Sequence, residues 1–171
     1  MPRIFLTTYA IANEHGAACG EWVDADEDFG EALDRIGAAY GDPTHEEPMI
    51  ADHEGWNGID PSDYSLSDLA DVAELIDERG DDVAALIAVH GSHYYGSADD
   101  LRRAVDDASF TWGNSESDAA DELAEAYGVL ESIPEHLRYY FDTEKWADDA
   151  VMGGDLSQVS IGGRVCFVRA N

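Results

Sequence analysis

Leu156-Ser157-Gln158-Val159-Ser160-Ile161-Gly162-Gly163-Arg164-Val165-Cys166-Phe167-Val168 is the stretch whose reading decides the fold. Two short runs, Leu156 to Ile161 and Arg164 to Val168, flank a Gly-Gly pair. Strand-like patterning on both sides of residues that tolerate positive φ is the signature of an antiparallel hairpin. Working back from it, Thr143 to Met152 reads as helix until Gly153-Gly154 breaks it. Ile133-Pro134-Glu135 begins a further helix, with proline at the favoured first position. Ser117 to Leu130 is a clear helix, and Phe110 to Trp112 is extended. Helices combined with an antiparallel hairpin make the fold class α+β.

The first sixty residues repeat the mixture. Ile4 to Ile11 is rich in β-branched and aromatic residues and reads as a strand, and Cys19 to Asp24 as a second. Phe29, Leu33, Ile36 and Tyr40 then fall on one helical face, and Gly41, Asp42 and Pro43 end that helix. Pro48 to Asp52 is a short strand. Gly55 to Pro61 holds two glycines and a proline and marks a boundary. The middle is helical: Leu66 to Glu78, Asp81 to Val89, and Ser97 to Ala108. The chain divides into three small units, 1–60, 61–108 and 109–171, with short antiparallel sheets in the first and third. Each has only a thin core.

Charge is the outlier. The chain has 171 residues, with 38 acids against 9 Lys plus Arg and a formal charge of -29, while 44% of residues are apolar. The apolar fraction and the aromatics argue for a folded chain. Self-repulsion at this charge destabilises a compact state, so a functional reason is needed. Nucleic acid phosphates and anionic membranes would repel it, which excludes direct nucleic acid binding and points to a basic partner surface. The N-terminus lacks a secretory pattern, and the apolar run Val83 to Val89 is far below the ~20 residues of a membrane helix. The reading is a cytoplasmic protein. Cys19 and Cys166 make no disulfide framework and read as small buried hydrophobes.

The acids are spread over the whole chain. Residues 1–60 carry 14 acids and 2 bases, residues 61–108 carry 12 and 3, and residues 109–171 carry 12 and 4. Acidic tails concentrate charge in runs, and this chain does not. Within helices the acids are periodic. Asp118, Asp121, Glu122 and Glu125 fall opposite Leu123, Tyr127 and Leu130, one charge per ~2.6 Å along the axis against ~1.7 Å in duplex DNA. Asp71, Glu74 and Glu78 likewise face away from Leu69, Val72 and Ile76. Either helix alone would read as an ordinary solvated face. Both faces, however, have almost no Lys or Arg in sequence to neutralise them, unlike ordinary mixed surfaces.

Other chemistry fails on spacing. Asp24 to Asp28 resembles the start of an EF-hand loop, but Phe29 and Arg35 stand where it needs Gly and Glu. His90 and His93 lack partners at zinc-like spacing and bracket a glycine turn. Nucleophile-elbow, P-loop and dinucleotide-binding patterns are absent. The chain is read as no enzyme, with no metal and no cofactor.

Particular residues carry a resemblance. Gly20-Glu21-Trp22-Val23-Asp24, the run Ile133-Pro134-Glu135-His136-Leu137-Arg138-Tyr139-Tyr140-Phe141-Asp142 continuing through Glu144, Trp146, Ala147 and Asp149 to Gly154-Asp155, and the closing Gly163-Arg164-Val165-Cys166-Phe167 resemble the ArdA antirestriction family. The likeness spans nearly the whole chain and is vague between Asp81 and Ala108. It implies an elongated, three-domain, homodimeric DNA mimic that occupies the DNA-binding groove of type I restriction-modification enzymes. The partner it implies is the methyltransferase core and the complete complex, and the setting is a mobile genetic element whose incoming DNA is protected. Trp22, Leu137, Tyr140 and Phe141 are expected to be buried.

The expected partner-binding carboxylates are Asp24, Asp26, Asp28, Glu31, Asp34, Asp71, Glu74, Glu78, Asp81, Asp82, Asp99, Asp100, Asp118, Asp121, Glu122 and Glu125. The expected dimer interface is Tyr139, Tyr140, Phe141 and Trp146. The rival reading is a halophile's acidic housekeeping protein, which explains the charge but not the motif from Ile133.

Overall fold

The computed structural model describes residues 1–42 and 47–170. Among them the order is β1 (Arg3–Thr8), α1 (Tyr9–His15), β2 (Glu21–Asp24), α2 (Phe29–Tyr40), β3 (Pro48–Glu54), α3 (Leu69–His90), α4 (Ala98–Asp107), β4 (Ser109–Gly113), α5 (Glu116–Ala126), α6 (Glu135–Arg138), α7 (Thr143–Met152), β5 (Ser157–Ile161) and β6 (Arg164–Arg169). The architecture is α+β, with two antiparallel three-stranded sheets and a helical stretch between them in sequence. Two compact units emerge: Met1–Gly80 with Ser92–Arg102, and Asp81–Gly91 with the chain from Arg103 onward.

In the first unit β1 is the central strand of the order β2-β1-β3. Ile4, Leu6 and Val23 are fully buried, and Ala32 and Ile36 of α2 are buried with them. Burying each large side chain of this kind stabilises by ~1.5–3 kcal/mol. Asp28 caps α2, its carboxylate accepting from the backbone N–H of Gly30 at 2.8 Å and of Glu31 at 3.1 Å. Pro43, read from sequence as part of the stop after α2, lies outside the described residues.

The first strand is shorter than the reading through Ile11. It ends at Thr8, whose hydroxyl accepts from Ile11 N–H at 3.2 Å and starts α1. The same hydroxyl donates to Asp42 at 2.9 Å. A capping threonine buried at a strand end turns a β-rich sequence into a helix.

Helix α3 joins the two helical runs read separately from sequence. Its backbone is broken at Arg79, with φ -137° and ψ 32°, so the separate readings mark a real discontinuity. Its opening Leu66–Asp68 is a 3-10 turn rather than α-helix.

In the second unit the order is β4-β6-β5. Ala119, Ala120 and Leu123 of α5, Ala147 of α7, Leu156 and Phe167 form the core, with Trp146, Val151 and Val165 packed against it. Alanines let α5 lie close to the sheet, and Gly113 completes the approach. A Cβ there would stand 2.2 Å from Ala119 N, where no atom fits. Helix α5 stops at Ala126, short of Leu130. Tyr127 is its cap, and Gly128 turns the chain at φ 64°. Tyr127 is therefore exposed rather than on the buried face.

Candidate partner-binding surface

Fifteen of the sixteen expected carboxylates are exposed, and Asp82 is half-buried. Their local roles differ. In the first unit Asp24, Asp26, Asp28 and Glu31 lie on the run from β2 into α2, where the helix N-terminus favours negative charge. Asp34 follows on α2. Arg35 balances part of this run, donating to Glu21 at 2.9 Å and to Glu27 at 3.3 Å. The hydrogen bond to Glu21 is the main reason its pKa lies above the usual arginine value.

Folding gathers carboxylates that are distant in sequence. Asp26 meets Asp71, Glu74, Asp77 and Glu78 around a cavity of about 430 Å³ with Met1, Ala70 and Ala73 in its wall. Asp77 was missed by the helical-face reading, although it follows Glu74 by three residues. That same reading gave the face almost no Lys or Arg, and the structure adds one from the next helix. Arg102 of α4 donates to Glu78 at 2.9 Å and pairs with Glu74 at 3.6 Å. A face counted from one helix omits cations contributed by the next. Asp99 and Asp100 occupy the first turn of α4, where Ser97 accepts from Asp100 N–H at 3.1 Å.

In the second unit two of the expected acids are tied inward. Asp82 accepts from Trp112 Nε1 at 2.8 Å. Asp81 accepts from Arg164 at 3.2 Å, and that guanidinium lies 4.8 Å over the Trp112 ring. These carboxylates fasten the second half of α3 to the sheet. On α5, Asp118 accepts from Asn114 N–H at 2.8 Å, and Asp121 accepts from the Thr143 hydroxyl. Glu122 and Glu125 extend to solvent. Asp121, Glu125 and Glu131 border a cavity of about 480 Å³ with Gly128 and Leu130. Glu131, beyond the helix end assumed from sequence, was also missed.

The aromatic residues split. Tyr139 is 91% and Tyr140 79% exposed, and Leu137 is exposed as well. Expected burial of Leu137 and Tyr140 is thus overturned, because α6 is a single four-residue turn with little surface to bury them. Phe141, Trp146 and Trp22 are half-buried. Trp146 packs edge-on to Tyr127 at 6.1 Å, and Trp22 to Phe5 at 5.6 Å beneath Arg3.

Among the described residues, no group of His, Cys, Asp and Glu has the geometry to hold a metal ion, and no helix is long and apolar enough to cross a membrane. Gly91, at φ 87°, turns the chain between His90 and His93. Burial pushes the Cys166 thiol up to about 12, and Cys19 is half-buried.

Fold and surface together define an acidic α+β protein whose dominant surface chemistry is exposed carboxylate on both units. The family model for Antirestriction protein (ArdA) matches residues 4–164, and the chain belongs to that family. Antirestriction is the function class this membership carries. No curated protein shows a significant match to the chain.

Proposed function

We propose that this chain is a DNA mimic that occupies the DNA-binding groove of type I restriction-modification enzymes, acting as a non-catalytic inhibitor in the cytoplasm. The observation that carries the reading is the exposure of carboxylates on both units in a member of an antirestriction family. Spread charge of this kind stands in for phosphates, and a groove lined by Lys and Arg recognises it. The partner is the methyltransferase core and the complete complex, and the protected DNA is that of a mobile element. A homodimer joined through the second unit completes the reading, with the exposed Tyr139 and Tyr140 at its surface and Phe141 and Trp146 behind them.

Expression in a host with a type I system should raise the plating efficiency of unmodified phage. Binding to the purified methyltransferase should weaken as salt rises, since exposed charge pairs are screened over ~8–10 Å at physiological ionic strength. Duplex DNA should compete for the same site. Unchanged plating against several type I systems, with the protein visibly expressed, would sink the proposal.

A further inference from the structure

The apolar stripe of α2 is only half covered. Ile36 is buried, whereas Phe29 and Leu33, at the N-terminal end of the same stripe, stay half-exposed. Across from them lie Leu66, half-exposed in the 3-10 turn before α3, and Ala70, exposed in the first turn of α3. These four side chains line a cavity of about 360 Å³ edged by Glu27, Asp28 and Ser67. Ala70 also stands in the wall of the cavity of about 430 Å³ described above. The two cavities meet at Ala70 as one trough between the β2–α2 run and the start of α3.

Both sides of the trough are acidic. Arg35 offsets Glu27, and Arg102 offsets Glu74 and Glu78. Asp26, Asp71 and Asp77 have no ion pair among the described residues, so the trough keeps a net negative charge. That charge turns away nucleic acid, anionic lipid and a second copy of this -29 chain, and it attracts Lys and Arg. An apolar floor between carboxylate walls matches the chemistry of a DNA major groove, where thymine methyls are read by apolar contact. We propose that the trough takes a basic segment of the partner enzyme with an apolar side chain at its centre. Lys or Arg of that segment meets the walls, and its apolar side chain covers Phe29, Leu33, Leu66 and Ala70. The inference rests on the DNA-mimic reading above and adds to it a contact that salt does not screen, because burial of apolar surface is not Coulombic.

The test measures binding of the full chain to a purified type I methyltransferase over a salt series, with folding read by circular dichroism. Ala70→Phe fills the trough without changing its charge, and Leu66→Gln keeps the bulk of the floor while making it polar. Each should weaken binding about tenfold, by the same factor at low and high salt. Asp71→Asn should behave differently, its loss shrinking as salt rises. A folded Ala70→Phe or Leu66→Gln that binds like the wild type, or whose loss disappears at high salt, overturns the trough. If Ala70→Phe does not fold, Leu66→Gln decides alone. A photo-cross-linker in place of Ser67 then identifies the occupant. A methyltransferase segment with Lys or Arg beside an apolar residue supports the proposal, and a second copy of this chain overturns it. Failure of the DNA-mimic reading itself shows differently, as a wild type that binds no methyltransferase and protects no phage, which removes the trough's partner as well.

Discussion

The two sheets share one design, three antiparallel strands with a helix packed on them, and handle charge in opposite ways. In the first unit acids sit on the edge strands themselves, and arginines answer them in place: Arg3 pairs with Glu54, and Arg35 with Glu21 and Glu27. In the second unit the edge strands carry no charge, and the acids ride on the helices. The arginines at the ends of β6 reach off the sheet, Arg164 to Asp81 and Arg169 to the Tyr127 hydroxyl. A high acidic charge is therefore compatible with either placement. What changes is which surface is left neutral, and only the second unit leaves a sheet edge neutral.

The sharpest way to break the comparison is through the close approach that lets α5 carry the second unit's acids. Gly113→Ala would set a Cβ 2.2 Å from Ala119 N and 2.6 Å from its Cα, and both are backbone atoms that cannot swing aside. Overpacking of this kind costs ~1–3 kcal/mol and occasionally more, so a loss of about 3 kcal/mol is expected. Urea unfolding followed by circular dichroism measures it. A loss below ~0.5 kcal/mol, the scale of ordinary surface changes, would mean that α5 is not held there.

A paired substitution then separates the two kinds of carboxylate. Asp82→Asn weakens the half-buried acceptor of Trp112 and should cost ~1–2 kcal/mol, with a shift in tryptophan fluorescence. Asp71→Asn in the first unit should change stability by no more than ~0.5 kcal/mol, because relief of repulsion from Glu74, worth ~0.2–0.5 kcal/mol per pair, is opposed by the loss of a favourable charge in the first turn of α3. Its effect should fall on methyltransferase affinity instead. If Asp82→Asn leaves stability intact and Asp71→Asn lowers it by ~1 kcal/mol or more, the division into fastening and partner-facing acids is wrong.

That division was the part least legible in the sequence. The hairpin over Gly162-Gly163, helix α2 and helix α7 could be read directly, because period and punctuation are local properties. The helix after Thr8 was hidden, since Tyr9 to Ile11 continue a β-rich run and only the buried threonine cap redirects them. Helical periodicity correctly turned Asp118, Asp121, Glu122 and Glu125 outward. It could not show that Arg102 returns to Glu74 and Glu78, or that Asp82 meets a tryptophan 30 residues away. Side-chain partners across elements leave no periodic trace. Exposure of Leu137 and Tyr140 was misjudged for a related reason: large apolar residues in a motif suggest core, but a four-residue helix offers no face to bury them.

The smallest expected effect extends the comparison to buried titratable groups, which among the described residues are two tyrosines in the first unit and one thiol in the second. Burial, followed by the charges of Asp63 and Tyr95, pushes Tyr64 up to about 12, and burial does the same for Tyr95. Among the described residues the Tyr64 hydroxyl has no hydrogen-bond partner. An acid with a raised folded-state pKa adds stability that is complete below its unfolded value near 10 and is lost as pH climbs towards 12. For Tyr64 the loss between pH 9 and 11 is on the order of 1 kcal/mol. Tyr64→Phe should therefore flatten part of the alkaline decline. At neutral pH it should be level or more stable by up to ~1 kcal/mol, because it removes a buried hydroxyl that pairs with nothing. Cys166→Ala should flatten the decline in the second unit in the same sense, since that thiol is also raised to about 12. Thermal unfolding of the three proteins at pH 7, 9 and 11 reads both effects. A Tyr64→Phe variant that is less stable at pH 7, with an unchanged alkaline slope, would show that the hydroxyl is satisfied in solution and its burial incomplete.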